Sequence, residues 1–85
     1  MYVVYILLCS DNTFYIGSTT DISRRVNEHN NLKSGAKYTK ARRPVALVYQ
    51  EQVDSISTAR SREAVLKKLS RREKELLVSR SIIPL

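Results

Sequence analysis

The run Tyr2-Val3-Val4-Tyr5-Ile6-Leu7-Leu8 is the segment that most restricts the fold. Its β-branched and aromatic residues favour a strand, and it is far too short to cross a membrane as a helix. Apolar residues fall at every position, not at alternate ones. Such a strand has to be covered on both faces, which places it at the centre of a sheet with helices on either side. Ser10-Asp11-Asn12 supplies turn chemistry, and Thr13 to Gly17 reads as a second strand that closes an antiparallel hairpin. With the turn centred on Ser10, Tyr5 faces Tyr15 and the two phenols stand side by side.

Thr20 or Asp21 can cap a helix that runs to about Asn30. The stretch from Asn31 to Pro44 reads as an irregular basic loop, and Val45 to Tyr49 as a third strand. Ile56 to about Leu69 has helical character. Ser70 and Glu73 have capping-box spacing, so a further helix is expected from there to about Arg80. The order ββαβαα predicts an α+β domain, a three-stranded antiparallel sheet flanked by helices, with residues 1–85 as one unit.

Fifteen Lys and Arg against eight Asp and Glu leave a formal charge of +7. A field of that sign attracts polyanions, nucleic acid foremost. Lys37, Tyr38, Lys40, Arg42 and Arg43 punctuate the central loop, and Lys67, Lys68, Arg71, Arg72 and Lys74 surround the last helix junction. Charge runs of this kind are as consistent with solvated surface as with a phosphate track. Cys9 is the only cysteine, which excludes an internal disulfide and a multi-cysteine zinc site. The chain carries no signal-peptide pattern, so the expected location is the cytoplasm.

Three polar residues fall on or beside faces turned toward the sheet. Ile22 and Val26 mark the buried stripe of the first helix. His29 lies between them in azimuth and Arg25 lies just beside them. Glu63 falls within the stripe of Ile56, Ala59 and Leu66. A carboxylate there needs a partner. An ion pair with Arg25 and a bound metal ion both satisfy that need.

Val4-Tyr5-Ile6 followed by Tyr15-Ile16-Gly17, with Arg25, His29 and Glu63 beyond, resembles the GIY-YIG nuclease family. The likeness is closest to short stand-alone bacterial proteins of the UPF0213 group. In these a Gly-Ser-Thr-Thr-Asp stretch, here Gly17 to Asp21, precedes an Arg-Arg-x-x-Glu-His helix, here Arg24 to His29. The first motif reads Val-Tyr-Ile, so only its Tyr carries over, and Ser18 stands where some relatives place Lys.

The resemblance implies a divalent-metal-dependent endonuclease acting on DNA, with Mg²⁺ or Mn²⁺ as cofactor and a place in repair or recombination. It implies Glu63 as metal ligand, Arg25 as stabiliser of phosphoryl charge, and Tyr5 as the group that takes a proton from water. Tyr15 and His29 would assist. All five are expected in one concave site, with Lys37, Tyr38, Lys40, Arg42, Arg43 and Lys67 holding nucleic acid. Since an ordinary phenol is a poor base at neutral pH, the role of Tyr5 requires nearby cations to lower its pKa. A non-catalytic nucleic-acid-binding module of the same fold is the alternative.

Overall fold

A computed structural model describes residues 1–81. Strands β1 (Tyr2–Leu8), β2 (Phe14–Thr19) and β3 (Ala46–Val53) form one antiparallel sheet in the order β2-β1-β3. Helices α1 (Ile22–Asn31), α2 (Lys37–Lys40), α3 (Ile56–Lys68) and α4 (Arg71–Ser81) surround it. The most apolar strand is central, as its composition requires. Val4, Tyr5, Ile6 and Leu7 are all buried.

Side-chain alternation along β1 sorts the core into two clusters. Val4 and Ile6 meet Ile16, Ala59 and Leu66 on the face covered by α3. Tyr5 and Leu7 meet Cys9 and Val45 on the opposite face, where Ile22 and Val26 of α1 pack. Around Val48, β3 shifts register between the partners of Ile6 and Leu7. This irregularity lets both Val48 and Tyr49 reach the α3-side cluster.

The hairpin register differs from the expected one. Tyr5 pairs with Gly17, and Tyr15 pairs with Leu7. The turn tightens further along the chain, where Cys9 and Thr13 close it and Asn12 adopts a left-handed conformation at φ 68°. A short polar side chain tolerates that conformation better than most. Because the displacement is an even number of residues, Tyr5 and Tyr15 stay on the same face as diagonal neighbours, with ring centroids 6.5 Å apart.

The N-cap of α1 is Asp21, whose carboxylate accepts from the Arg24 amide at 3.1 Å. At the start of α4, the Ser70 amide donates to Glu73 and the Glu73 amide to Ser70 Oγ, which completes the capping box. Three elements depart from expectation. The segment read as an irregular loop contains α2, too short to show a periodicity. β3 extends to Val53, because its second half pairs with the start of β1. Ile56 is 48% exposed, since it opens the first turn of α3 before that helix reaches the sheet. No helix among the described residues is long and apolar enough to cross a membrane.

Candidate functional site

The α1 face of the sheet holds a buried polar chain. His29 is fully buried, carried inward by α1 beside Val26. Its Nε2 lies 2.8 Å from Tyr5 Oη, and its Nδ1 lies 2.9 Å from Thr39 Oγ1 and 3.3 Å from the Ala36 amide. The Thr39 hydroxyl is also 2.9 Å from the Ala36 carbonyl. The Ala36 amide can only donate, so Nδ1 accepts, and the neutral ring carries its proton on Nε2, which donates to Tyr5 Oη. Burial, reinforced by the nearby Arg25 and Arg43 guanidinium groups, lowers the His29 pKa to about 4. The ring is therefore neutral at physiological pH.

Gly17 creates room for this arrangement. A methyl group at its α-carbon would lie 2.5 Å from Tyr5 Oη and 2.8 Å from Tyr5 Cζ. The phenol lies over the missing side chain of its cross-strand partner. Tyr15 packs against the His29 ring at 5.2 Å and stacks on Tyr38 at 6.0 Å. Burial raises the Tyr5 pKa to about 12, against the opposing influence of Arg25. The expectation that nearby cations would lower it is overturned, because the loss of solvent outweighs one partly exposed guanidinium.

Arg25 does not pair with Glu63. Its Nη1 donates to Glu28 at 2.8 Å and to the Ser34 carbonyl at 2.9 Å. Both bonds use the same nitrogen, so Nε and Nη2 lie outside them.

Glu63 reaches the edge of β2 from the other side of the sheet, close enough to Tyr5 for its charge to help raise that phenol's pKa. It sits on α3, which covers the opposite face, and its side chain is 20% exposed. There it accepts a 2.5 Å hydrogen bond from Ser18 Oγ, and Lys67 Nζ lies 3.6 Å away. The two groups of residues meet around the edge strand. A cavity of about 300 Å³ straddles β2 and is lined by Tyr15, Tyr38, Glu63, Lys67 and Lys74, with Phe14 and Ile16 at its base.

The basic loop is divided. Lys37, Tyr38 and Lys40 are exposed on α2. Arg43, expected to face nucleic acid, turns inward instead. Its Nε donates to the His29 carbonyl at 2.6 Å, and its Nη2 to the carbonyls of Glu28 and Leu32 at 3.2 and 2.7 Å. It satisfies the last turn of α1, where carbonyls lack helical partners. Arg42 is also committed. It pairs with Asp11 at 2.9 Å, donates to the Tyr38 carbonyl and lies 3.8 Å over the Tyr38 ring.

Sequence reasoning missed Gly17, Thr39 and Asn30. The Asn30 side chain donates to the Val45 carbonyl and accepts from the Val45 amide, fixing α1 to the approach of β3. Among the described residues no group of three or more His, Cys, Asp or Glu side chains could hold a metal ion.

Residues 1–76 match the GIY-YIG catalytic domain. The UPF0213 protein of Syntrophus aciditrophicus (strain SB) is 56% identical over 78 residues, spanning 92% of this chain and 90% of that relative. A UPF0213 protein of Halobacterium salinarum is 53% identical over 77 residues, covering 91% and 99% respectively. The solution NMR structure of the UPF0213 protein from Bacillus halodurans is similar at a TM-score of 0.60 and 45% identity, over 95% of this chain and 86% of that one.

Proposed function

This chain belongs to the GIY-YIG family, and from that premise we propose that it is a divalent-metal-dependent endonuclease that hydrolyses DNA phosphodiester bonds. The supporting observation is the cavity astride β2, which brings Glu63 and two lysines around the strand edge to Tyr15. A partly exposed carboxylate with two ammonium groups beside it makes a fitting site for a phosphodiester and a cation.

One carboxylate beside an open cavity fits Mg²⁺ or Mn²⁺ held largely by water and phosphate, and does not fit a protein cage of many ligands. Glu63 would hold the ion, with Ser18 orienting the carboxylate from Oε2. When bound, the ion supplies Lewis acidity and a more acidic water. Arg25 neutralises charge developing on the phosphoryl oxygens, since its guanidinium stays charged and retains donors beyond those given to Glu28 and Ser34. Tyr5, uncharged at neutral pH, orients the attacking water through its hydroxyl. His29 holds that hydroxyl in place by donating to it from Nε2 at 2.8 Å. Tyr15 closes the site against Tyr38. Lys37, Tyr38, Lys40 and Lys67 are the residues we assign to nucleic-acid contact. Arg42 and Arg43 we assign to the fold, from the bonds they make.

A second reading, a DNA-binding module that does not cut, is favoured by a single observation. A phenol with a pKa of about 12 stays protonated at neutral pH and cannot take the proton from water. Nicking of supercoiled plasmid in Mg²⁺ or Mn²⁺ separates the two. Glu63→Gln is the decisive variant. The amide can still accept from Ser18, and the lost contact with the exposed Lys67 is worth under about 1 kcal/mol. Melting should therefore stay near wild type while nicking disappears. Nicking that persists in this variant would remove Glu63 from the chemistry.

A further inference from the structure

Lys74 is one of many basic residues near the last helix junction, and nothing in its sequence context sets it apart from Lys68 or Arg72. The structure does. The capping box fixes where α4 begins. Its first residue, Arg71, is anchored on the hairpin: its guanidinium lies 4.3 Å over the Phe14 ring and its Nη1 donates to the Asn12 carbonyl. Lys74 follows three residues later, on the same side of the helix. That places it against the cavity astride β2, only partly exposed. Lys68 and Arg72 are exposed and do not line this cavity.

The cavity wall thus carries two ammonium groups and one carboxylate. Lys67 is within 3.6 Å of Glu63, whereas Lys74 forms no ion pair among the described residues. A partly exposed lysine without a carboxylate partner among the described residues, held on an anchored helix beside a stacked tyrosine pair, suits an anion brought from outside. The spacing of elements also matters. Arg25 lies on the α1 side of β2, and Lys74 comes from the α4 side.

We propose that Lys74, together with Lys67, forms a phosphate subsite that grips the backbone phosphate next to the one Arg25 and Glu63 address. The subsite holds a DNA strand across the edge of β2. This rests on the endonuclease reading for the identity of the polyanion, but it is tested by binding alone. Lys74 positions substrate and takes no part in bond cleavage.

The test uses the full chain and a fluorescein-labelled DNA oligonucleotide, with anisotropy measured in EDTA over a series of salt concentrations. Lys74→Met should weaken binding several-fold at low salt and reduce the slope of log K against log salt by roughly 0.7–0.9, the loss of one phosphate contact. Lys74→Arg should restore most of both. Lys68→Met removes the same charge from outside the cavity and should change neither measurably. Thermal unfolding of Lys74→Met should match wild type, because no ion pair is broken. In nicking assays the defect should appear in KM, with kcat within about twofold of wild type.

If Lys74→Met binds like wild type, or Lys68→Met is equally impaired, there is no subsite and only diffuse charge acts. A wild-type protein without salt-dependent DNA affinity overturns the proposal as well. Wild-type binding that depends on Lys74 without any nicking supports the subsite while refuting the endonuclease reading. Nicking that survives with Lys74→Met unimpaired does the reverse.

Discussion

The two faces of the sheet are built from the same strand, yet they differ in kind. On the α3 side, Val4, Ile6, Ile16, Ala59 and Leu66 form a dry apolar cluster. On the α1 side, Tyr5 and Leu7 share their face with a histidine, a threonine hydroxyl and a backbone amide bonded in series. Hydrocarbon packing tolerates small adjustments of shape, whereas a buried polar chain fails as soon as one partner is missing. The dry face supplies cohesion. The polar face fixes the positions of Tyr5 and His29 and leaves little room for substitution, whereas Glu63 is carried by α3.

Disrupting the dry face should have the largest effect. Leu66→Ala empties a fully buried position and should cost about 2–5 kcal/mol in urea unfolding, with nicking reduced only in proportion to the folded fraction. A loss of nicking beyond that proportion would show that the faces are coupled.

The next largest effect is a pH dependence confined to the polar face. The folded state holds the His29 pKa near 4 against 6.5 for a free ring. Unfolded chains therefore take up a proton that native chains refuse in that interval. Stability should fall as pH drops from 6.5 to 4, by at most about 3 kcal/mol, and this contribution is fully present above 6.5. Unfolding free energies at pH 7 and pH 4.5, compared between wild type and His29→Gln, isolate it. A pH slope equal in both proteins would show that His29 is not its source.

Gly17→Ala pushes the Tyr5 phenol out of its place and should cost about 1–3 kcal/mol while removing nicking altogether. Activity that tracks stability would show that the position of Tyr5 is unimportant. The smallest effect is expected from Thr39→Val, which keeps the shape and deletes one partner of His29 Nδ1, for about 1–2 kcal/mol. Melting temperature reports it, and an unshifted value would mean that the Ala36 amide alone satisfies the ring.

The sheet was legible because β1 has a composition that only a central strand tolerates, and the first and last helices announced themselves through Asp21 and Ser70 as caps. Tyr5 and Tyr15 were placed on one face despite a misplaced turn, since alternation survives an even displacement. The candidate site was less legible. Glu63 shares an apolar face with Ala59 and Leu66, but helical period cannot say which side of the sheet that helix covers. Arg43 looks like any other loop cation until α1 and its open carbonyls are present in three dimensions. Thr39 meets His29 only because α2, a single turn without its own periodic signal, folds back over α1. Gly17 needed the true register. These contacts lie between elements, and local pattern carries no trace of them.

The strand order β2-β1-β3 also sets a schedule of assembly. The middle strand comes first in the chain, and its two neighbours reach it at very different times. Phe14–Thr19 returns through a tight turn and closes one side at once. Ala46–Val53 must travel back from about 40 residues downstream, a closure with a larger entropic cost and a slower approach. Tyr5 can therefore settle over Gly17 well before α1 is sealed against β3 by Asn30 and Val45. In the interval the most apolar segment of the protein presents an unpaired row of amides and carbonyls. Crowded chains at that stage can pair with one another along the vacant side, so the yield of native protein should depend more on how fast Ala46–Val53 docks than on any residue of the candidate site.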